Sequence, residues 1–219
     1  MNVKRYKVSM EIEGPMAMFT DPASNPAQRS YPIPTWSQTK GIFEAVCMVH
    51  SAFIDPVAVE MCKPLKYYEY KTNNRGPLRD KTSINNDTPY QRHISVLEDP
   101  CFRLYGVVKK LTDNLKMTTN PEHALQCIFN KNLKKQKCRY HPCLGLKEFH
   151  CTYFGPIRED TEIVHVQEYN KEIPTMLYSI FDENRNGEYS PQYIQNAMII
   201  DGRFVYDKWV NTNNKRISW

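Results

Sequence analysis

No stretch of this 219-residue chain approaches the ~18 consecutive apolar residues that a membrane-spanning helix needs. Glycine is scarce, at 8 residues, which excludes collagen-like and Gly-rich low-complexity architecture. The first residues, MNVKRYKVSMEIEG, have neither an apolar signal core nor a small-residue cleavage site, so the cytoplasm is the expected location. Paired C-x-x-C knuckles are missing too. The seven cysteines, at 47, 62, 101, 127, 138, 143 and 151, are an odd number spread through the chain, which fits reduced thiols better than a disulfide framework. What remains is ordinary for a packed core: 41% hydrophobic and 24% charged residues, with room for one large domain or two small ones.

Acidic residues are absent from one segment in particular. Lys131, Lys134, Lys135, Lys137 and Arg139 fall within nine residues that hold no Asp or Glu, and setting those five aside leaves 24 basic against 24 acidic residues. The whole formal excess of +5 therefore sits in one place. Such a cluster is a candidate polyanion site, phosphate above all; it is equally what a solvated helix C-terminus looks like, where cations favour the dipole.

Cys138, His141, Cys143, His150 and Cys151 are residue types that bind zinc, but the spacing does not fit a paired-ligand site, and Cys143 to Cys151 reads as an extended strand.

Tyr6, Val8, Met10 and Ile12 alternate with charged or polar residues, the period of a half-buried strand, and Gly14-Pro15 ends it. After a Pro-rich loop from Asp21 to Pro34, Thr35 caps an expected helix with Trp36, Thr39, Phe43, Val46, Cys47 and His50 at helical spacing. A second strand is expected from Val57 to Tyr70, with Pro64 marking an edge or bend. Lys71 to Ser95 is polar and poor in aliphatics, and reads as a long functional or disordered loop. A third strand runs from Phe102 to about Leu111. Asn120-Pro121 opens a second helix, with Leu125, Ile128, Phe129 and Leu133 on one face and the basic cluster at its end. Lys147 to Phe154 makes a fourth strand.

This order predicts an α+β, ferredoxin-like domain over residues 1–155, a fold common among RNA-binding modules. A smaller antiparallel β domain follows over 156–219, with strands at Ile173 to Phe181 and Tyr193 to Ile200 and an Asp201-Gly202 hairpin turn. The small part is expected to pack on the first, since it cannot easily bury a core alone.

Several motifs in sequence order then resemble one family. Ala17-Met18-Phe19-Thr20-Asp21-Pro22, Ser30-Tyr31-Pro32-Ile33-Pro34-Thr35 running into Lys40-Gly41-Ile42-Phe43-Glu44-Ala45-Val46, Pro142-Cys143-Leu144-Gly145 with Lys147-Glu148-Phe149, Met176-Leu177-Tyr178 and Asp201-Gly202 are similar to the Cas-five proteins of type I-C CRISPR systems, in the repeat-associated RNA-binding (RAMP) superfamily. The resemblance implies a long thumb hairpin, here at about 71–95. It implies binding of the 5′ repeat-derived handle of CRISPR RNA within a Cascade complex, beside backbone and large subunits, with target DNA met through the complex. It also implies precursor-RNA cleavage without metal or other cofactor, by 2′-hydroxyl attack that leaves a 2′,3′-cyclic phosphate.

In the family the catalytic positions are a Lys-His pair at the start of the second helix and an aromatic or His residue near the end of the first. His123 matches; Glu122 stands at the Lys position and Cys47 at the aromatic position. Glu122 adds negative charge where the transition state already gathers it. Lys131, eight residues on and roughly 12 Å away by helical rise, does not replace the missing Lys; Lys116 lies in the loop before the helix. Two readings stand together: an endoribonuclease using His123, and a handle-binding subunit that no longer cuts. A free-standing RNA-recognition module is disfavoured, because its Gly-Phe-Gly/Ala-Phe strand motif is absent. Phosphate contacts are expected from the basic cluster, with Arg29 and Lys40 near the Ser30-Tyr31 motif, and guide or target contacts from Arg75, Arg79, Lys81 and Arg92 on the thumb.

Overall fold

The alternating N-terminal residues form β1 (Lys7–Glu13), with Val8, Met10 and Ile12 buried, in a computed structural model that describes residues 6–24, 27–75, 89–111, 120–159, 169–181 and 188–206. β1 lies inside a five-stranded antiparallel sheet. It pairs on one side with β7 (Cys101–Lys110) and on the other with β8 (Tyr153–Gly155). Beyond β7 come β4 (Ala52–Met61) and then β11 (Arg203–Val205), giving the order β11-β4-β7-β1-β8.

Two α-helices among the described residues pack on this sheet. α1 (Trp36–Val46) begins at Thr35, whose side chain accepts from the Gln38 N–H while the Gln38 side chain accepts from the Thr35 N–H, a reciprocal capping box. α2 (Pro121–Lys134) begins with Asn120 as cap and Pro at the first helical position, and buries Pro121, Leu125, Phe129 and Leu133. Phe43 and Phe129 meet edge-on between the helices, with centroids 5.7 Å apart. Gly106 of β7 lies beneath them, where a Cβ would press against Ile54 and Phe43.

A second sheet is built on β6 (Pro89–Glu98), which pairs with β2 (Met16–Ala17), with β3 (Gln28–Arg29) in parallel, and with β5 (Lys66–Arg75). β9 (Lys171–Phe181) and β10 (Tyr189–Ile199) form a separate two-stranded ribbon. Tyr178 of the ribbon stacks on Trp36 at 4.9 Å, and Tyr31 Oη accepts from the Leu177 N–H and donates to the Thr175 carbonyl. Tyr206, after β11, is buried with its hydroxyl hydrogen-bonded to the Pro34 carbonyl and Thr39 Oγ1, and burial pushes its phenol up. One continuous buried core therefore includes Met10, Phe43, Phe129, Tyr178 and Phe204.

Five local expectations differ. The strand expected over Val57 to Tyr70 is two strands, β4 and β5, because Cys62 to Leu65, with Pro64 unable to donate, interrupts the ladder. The polar stretch read as a loop is the β5–β6 hairpin, whose register runs from Lys66↔Glu98 to Arg75↔Pro89; residues 76–88 lie outside the described set. Cross-strand backbone bonds hold it where aliphatic side chains are few. The strand expected over Lys147 to Phe154 is mostly turn: Cys143 and His150 make an isolated bridge, Gly145 takes φ +96°, and pairing with β1 starts at Tyr153. α1 ends at Val46 instead of reaching His50, which is exposed. The Asp201-Gly202 turn does carry two positive φ angles, yet the strand after it leaves β10 after one bridge and joins β4.

Candidate nucleic-acid interface

α2 presents two ends to solvent along one face. At its start Asn120 Oδ1 accepts from the Glu122 N–H at 2.9 Å and the His123 N–H at 3.4 Å. Glu122, in the first turn, suits the positive end of the helix dipole, which gives the carboxylate a structural reason to be there. The His123 side chain is exposed, with Nε2 at 3.5 Å from Cys127 Sγ one turn on. Its ring meets the ring of Tyr6 edge-on at 5.8 Å, and Asn120 Nδ2 donates to Tyr6 Oη at 3.3 Å.

At 100° per residue, His123, Cys127, Asn130 and Lys134 fall within an arc of about 60°, with Lys131 on its flank. All five are exposed. The helix then stops in a Schellman arrangement: the Lys137 N–H reaches the Asn132 carbonyl at 2.9 Å, the Gln136 N–H reaches Leu133, and Gln136 takes φ +50°. That turn fans Lys135 and Lys137 outward, both exposed. Among the described residues none of the four lysines is in an ion pair. Arg139 is exposed as well; its backbone N–H bonds the Ala45 carbonyl, fixing the basic turn to the end of α1.

Cys47 caps α1 and is 8% exposed; burial pushes its thiol up, away from nucleophilic use. It makes no hydrogen bond or ring contact with His123 or Glu122 among the described residues. Its neighbour Val46 accepts instead from Asn132 Nδ2, nine residues and about 13 Å of helical rise along α2 from His123.

The other sequence candidates lie elsewhere. Arg29 is exposed on β3, its guanidinium 5.3 Å from the Tyr67 ring, and burial together with Arg29 lowers Lys171, a second cation that sequence reasoning missed. Lys40 lies over the rings of Trp36 and Phe53 at 5.2 and 5.3 Å. On the β5–β6 hairpin, Arg75 is at the end of β5 and Arg92 opposes Thr72; Arg79 and Lys81, like Lys116, lie outside the described residues. The same hairpin carries a pair of stacked tyrosines, Tyr68 and Tyr70, at 6.1 Å, with Tyr68 exposed.

The cysteine–histidine cluster has a different arrangement from a metal centre. His141 Nε2 lies 2.9 Å from the Cys151 carbonyl and its ring meets His150 at 5.6 Å. Among the described residues no three His, Cys, Asp or Glu side chains are grouped to hold a metal ion. No described helix is long and apolar enough to cross a membrane.

Tyr6 is the other site residue that sequence reasoning missed. Its place in the alternating pattern read as core, and only the fold brings α2 beside it.

No protein-family model matches the chain. Over an alignment of 201 residues it is 23% identical to the CRISPR pre-crRNA endoribonuclease Cas5d of Mannheimia succiniciproducens, covering 82% of this chain and 87% of that protein. Among solved structures it is similar to a CRISPR-associated protein, with TM-score 0.69 and 16% identity over 94% of this chain and 95% of the other. It is also similar to a functionally uncharacterized protein from Streptococcus mutans, with TM-score 0.67 and 14% identity over the same shares of the two chains. The structural likeness establishes a shared α+β fold of mostly antiparallel sheets.

Proposed function

We propose that this chain is the Cas5 subunit of a type I-C Cascade complex, that it binds the 5′ handle of CRISPR RNA, and that it cleaves precursor CRISPR RNA in the repeat. The observation that carries this reading is the exposed stripe of α2, where His123 leads into Lys131, Lys134, Lys135 and Lys137. The stripe sets a proton-transfer group and a row of phosphate ligands about 16 Å apart along one face, so a single RNA strand laid on it meets both. The strand order supports a ferredoxin-like domain: with β11 set aside, the fourth, first, third and second strands of a β-α-β-β-α-β unit lie side by side. Residues 1–155 then form the RNA-binding domain and 156–219 the smaller one. The β5–β6 hairpin is the thumb, carrying Arg75 and Arg92 toward guide RNA or target DNA.

In the cleavage step the His123 imidazole takes the proton of the 2′-hydroxyl, the oxygen attacks the adjacent phosphorus, and the 5′-oxygen leaves. No metal or cofactor enters this proposal.

A second reading is a subunit that clasps the handle without cutting. The placement of Cys47 favours it, since that thiol is buried and away from His123. Both readings share one binding test. Labelled repeat RNA should be held by the protein and displaced by unlabelled repeat RNA, but not by a scrambled strand of equal length. Equal displacement by both would point to a general single-strand binder and overturn the handle assignment.

A further inference from the structure

We infer that Tyr6 supplies the second proton-transfer group of the His123 site, an inference that rests on the cleavage reading above. Cutting by 2′-hydroxyl attack needs a base for the incoming oxygen and an acid for the leaving one. Cys47, at the position where the family resemblance puts an aromatic group, is buried and makes no hydrogen bond with His123 among the described residues. Glu122 has the wrong charge for a phosphate partner.

Among the described residues, three side chains contact His123: Asn120, Cys127 and Tyr6. The Asn120 amide does not titrate. Cys127 faces His123 Nε2 from one turn further along the same helix, on the side of the basic cluster. Tyr6 approaches from another element, the residue just before β1. Its hydroxyl is held at the opening of α2 by the Asn120 amide at 3.3 Å, and its ring lies 5.8 Å from that of His123. That separation is within the span of one ribose-phosphate unit, so a single nucleotide can reach both groups. Asn120 links them further, because the residue whose amide holds Tyr6 also caps the His123 N–H.

The step balances with these two groups alone. The 2′-hydroxyl proton passes to the neutral His123 imidazole as the bond from O2′ to phosphorus forms. The bond from phosphorus to O5′ breaks, and O5′ takes the phenolic proton of Tyr6. The products are a 2′,3′-cyclic phosphate and a 5′-hydroxyl. The imidazolium proton then returns to the phenolate, directly or through water, and both groups are restored. A phenol is a far stronger acid than the alcohol it protonates, so the transfer runs downhill as the leaving oxygen gains charge.

The test is single-turnover cleavage of the protein's own repeat RNA in EDTA, comparing wild type, Tyr6→Phe and His123→Ala on two substrates. One is ordinary RNA. The other carries sulfur in place of O5′ at the scissile bond, a leaving group that departs as a thiolate without an acid. On ordinary RNA, Tyr6→Phe should be slower by about 100-fold or more. Its RNA affinity and melting temperature should stay those of wild type, because Phe keeps the ring. On the sulfur substrate Tyr6→Phe should regain the wild-type rate, while His123→Ala stays slow. A Tyr6→Phe rate close to wild type on ordinary RNA overturns the inference and leaves the cleavage reading standing. Equal slowing on both substrates overturns it too, because it makes Tyr6 a structural residue. If wild type cuts neither substrate, the cleavage reading itself fails and the role of Tyr6 fails with it.

Discussion

Tyr6 and His123 meet edge-on at the exposed start of α2, with centroids 5.8 Å apart, although one residue precedes β1 and the other follows β7. The contact exists because α2 returns over the sheet beside β1, where the Gln126 side chain also bonds the Lys7 carbonyl at 2.8 Å. The imidazole is exposed and flanked by a phenol, a thiol and the helix cap. Its neighbour Glu122 carries a charge that opposes a phosphate there.

Removing the two neighbours should therefore have opposite effects. His123→Ala should slow repeat-RNA cleavage by at least about 100-fold. Glu122→Ala should leave the rate unchanged or raise it, while lowering helix stability by about 0.3–1 kcal/mol through the lost dipole interaction. Rates from gel assays and melting curves of the same two variants check both halves.

Neutralising Lys134, Lys135 and Lys137 together, as Gln, should weaken RNA binding without regard to sequence. Each lost phosphate contact should flatten the plot of log affinity against log salt by about one unit or somewhat less. All three side chains are exposed and unpaired with any described acid, so the fold should tolerate the change. An unchanged affinity and slope would make the cluster a solvated helix end.

Gly145→Ala should destabilise the protein by about 2 kcal/mol or more. Gly145 takes φ +96°, and an added Cβ would collide with the Met18 carbonyl, whose own N–H is bonded to the Leu144 carbonyl at 2.9 Å. Chemical denaturation of the variant gives the value directly.

Acid should act through Glu13. Burial alone would raise its carboxyl, but hydrogen bonds from Lys63 and Arg158 outweigh that and hold it below the ordinary carboxylate range. A lowered folded-state value means that the stabilisation is present above the unfolded value of about 4.3 and fades as pH falls through the folded one. Glu13→Gln should thus melt below wild type near neutrality, and the gap should close in acid. A gap that stays constant from about pH 7 to about pH 3 would remove this linkage.

The sequence made some of these features readable and hid others for physical reasons. β1, α1, α2 and β7 were legible because each carries its own periodicity, and the Thr35 and Asn120 caps are local chemistry. The β5–β6 hairpin was not, because its polar residues give no alternation and its pairing is between distant backbones. The turn at Leu144 to Phe149 was missed because it forms against Met18, a partner more than a hundred residues away. In the site, the basic cluster could be located by charge alone, and His123 by resemblance. Tyr6 could not, since an aromatic residue at the start of a strand reads as core until α2 is set beside it.

The most direct measurement mixes the purified wild-type protein with its own repeat RNA in EDTA and follows the strand. The account predicts a cut near the base of the 3′ side of the repeat hairpin, leaving a 2′,3′-cyclic phosphate and a 5′-hydroxyl. RNA that is bound yet stays intact would contradict the cleavage claim and leave a subunit that only holds the handle.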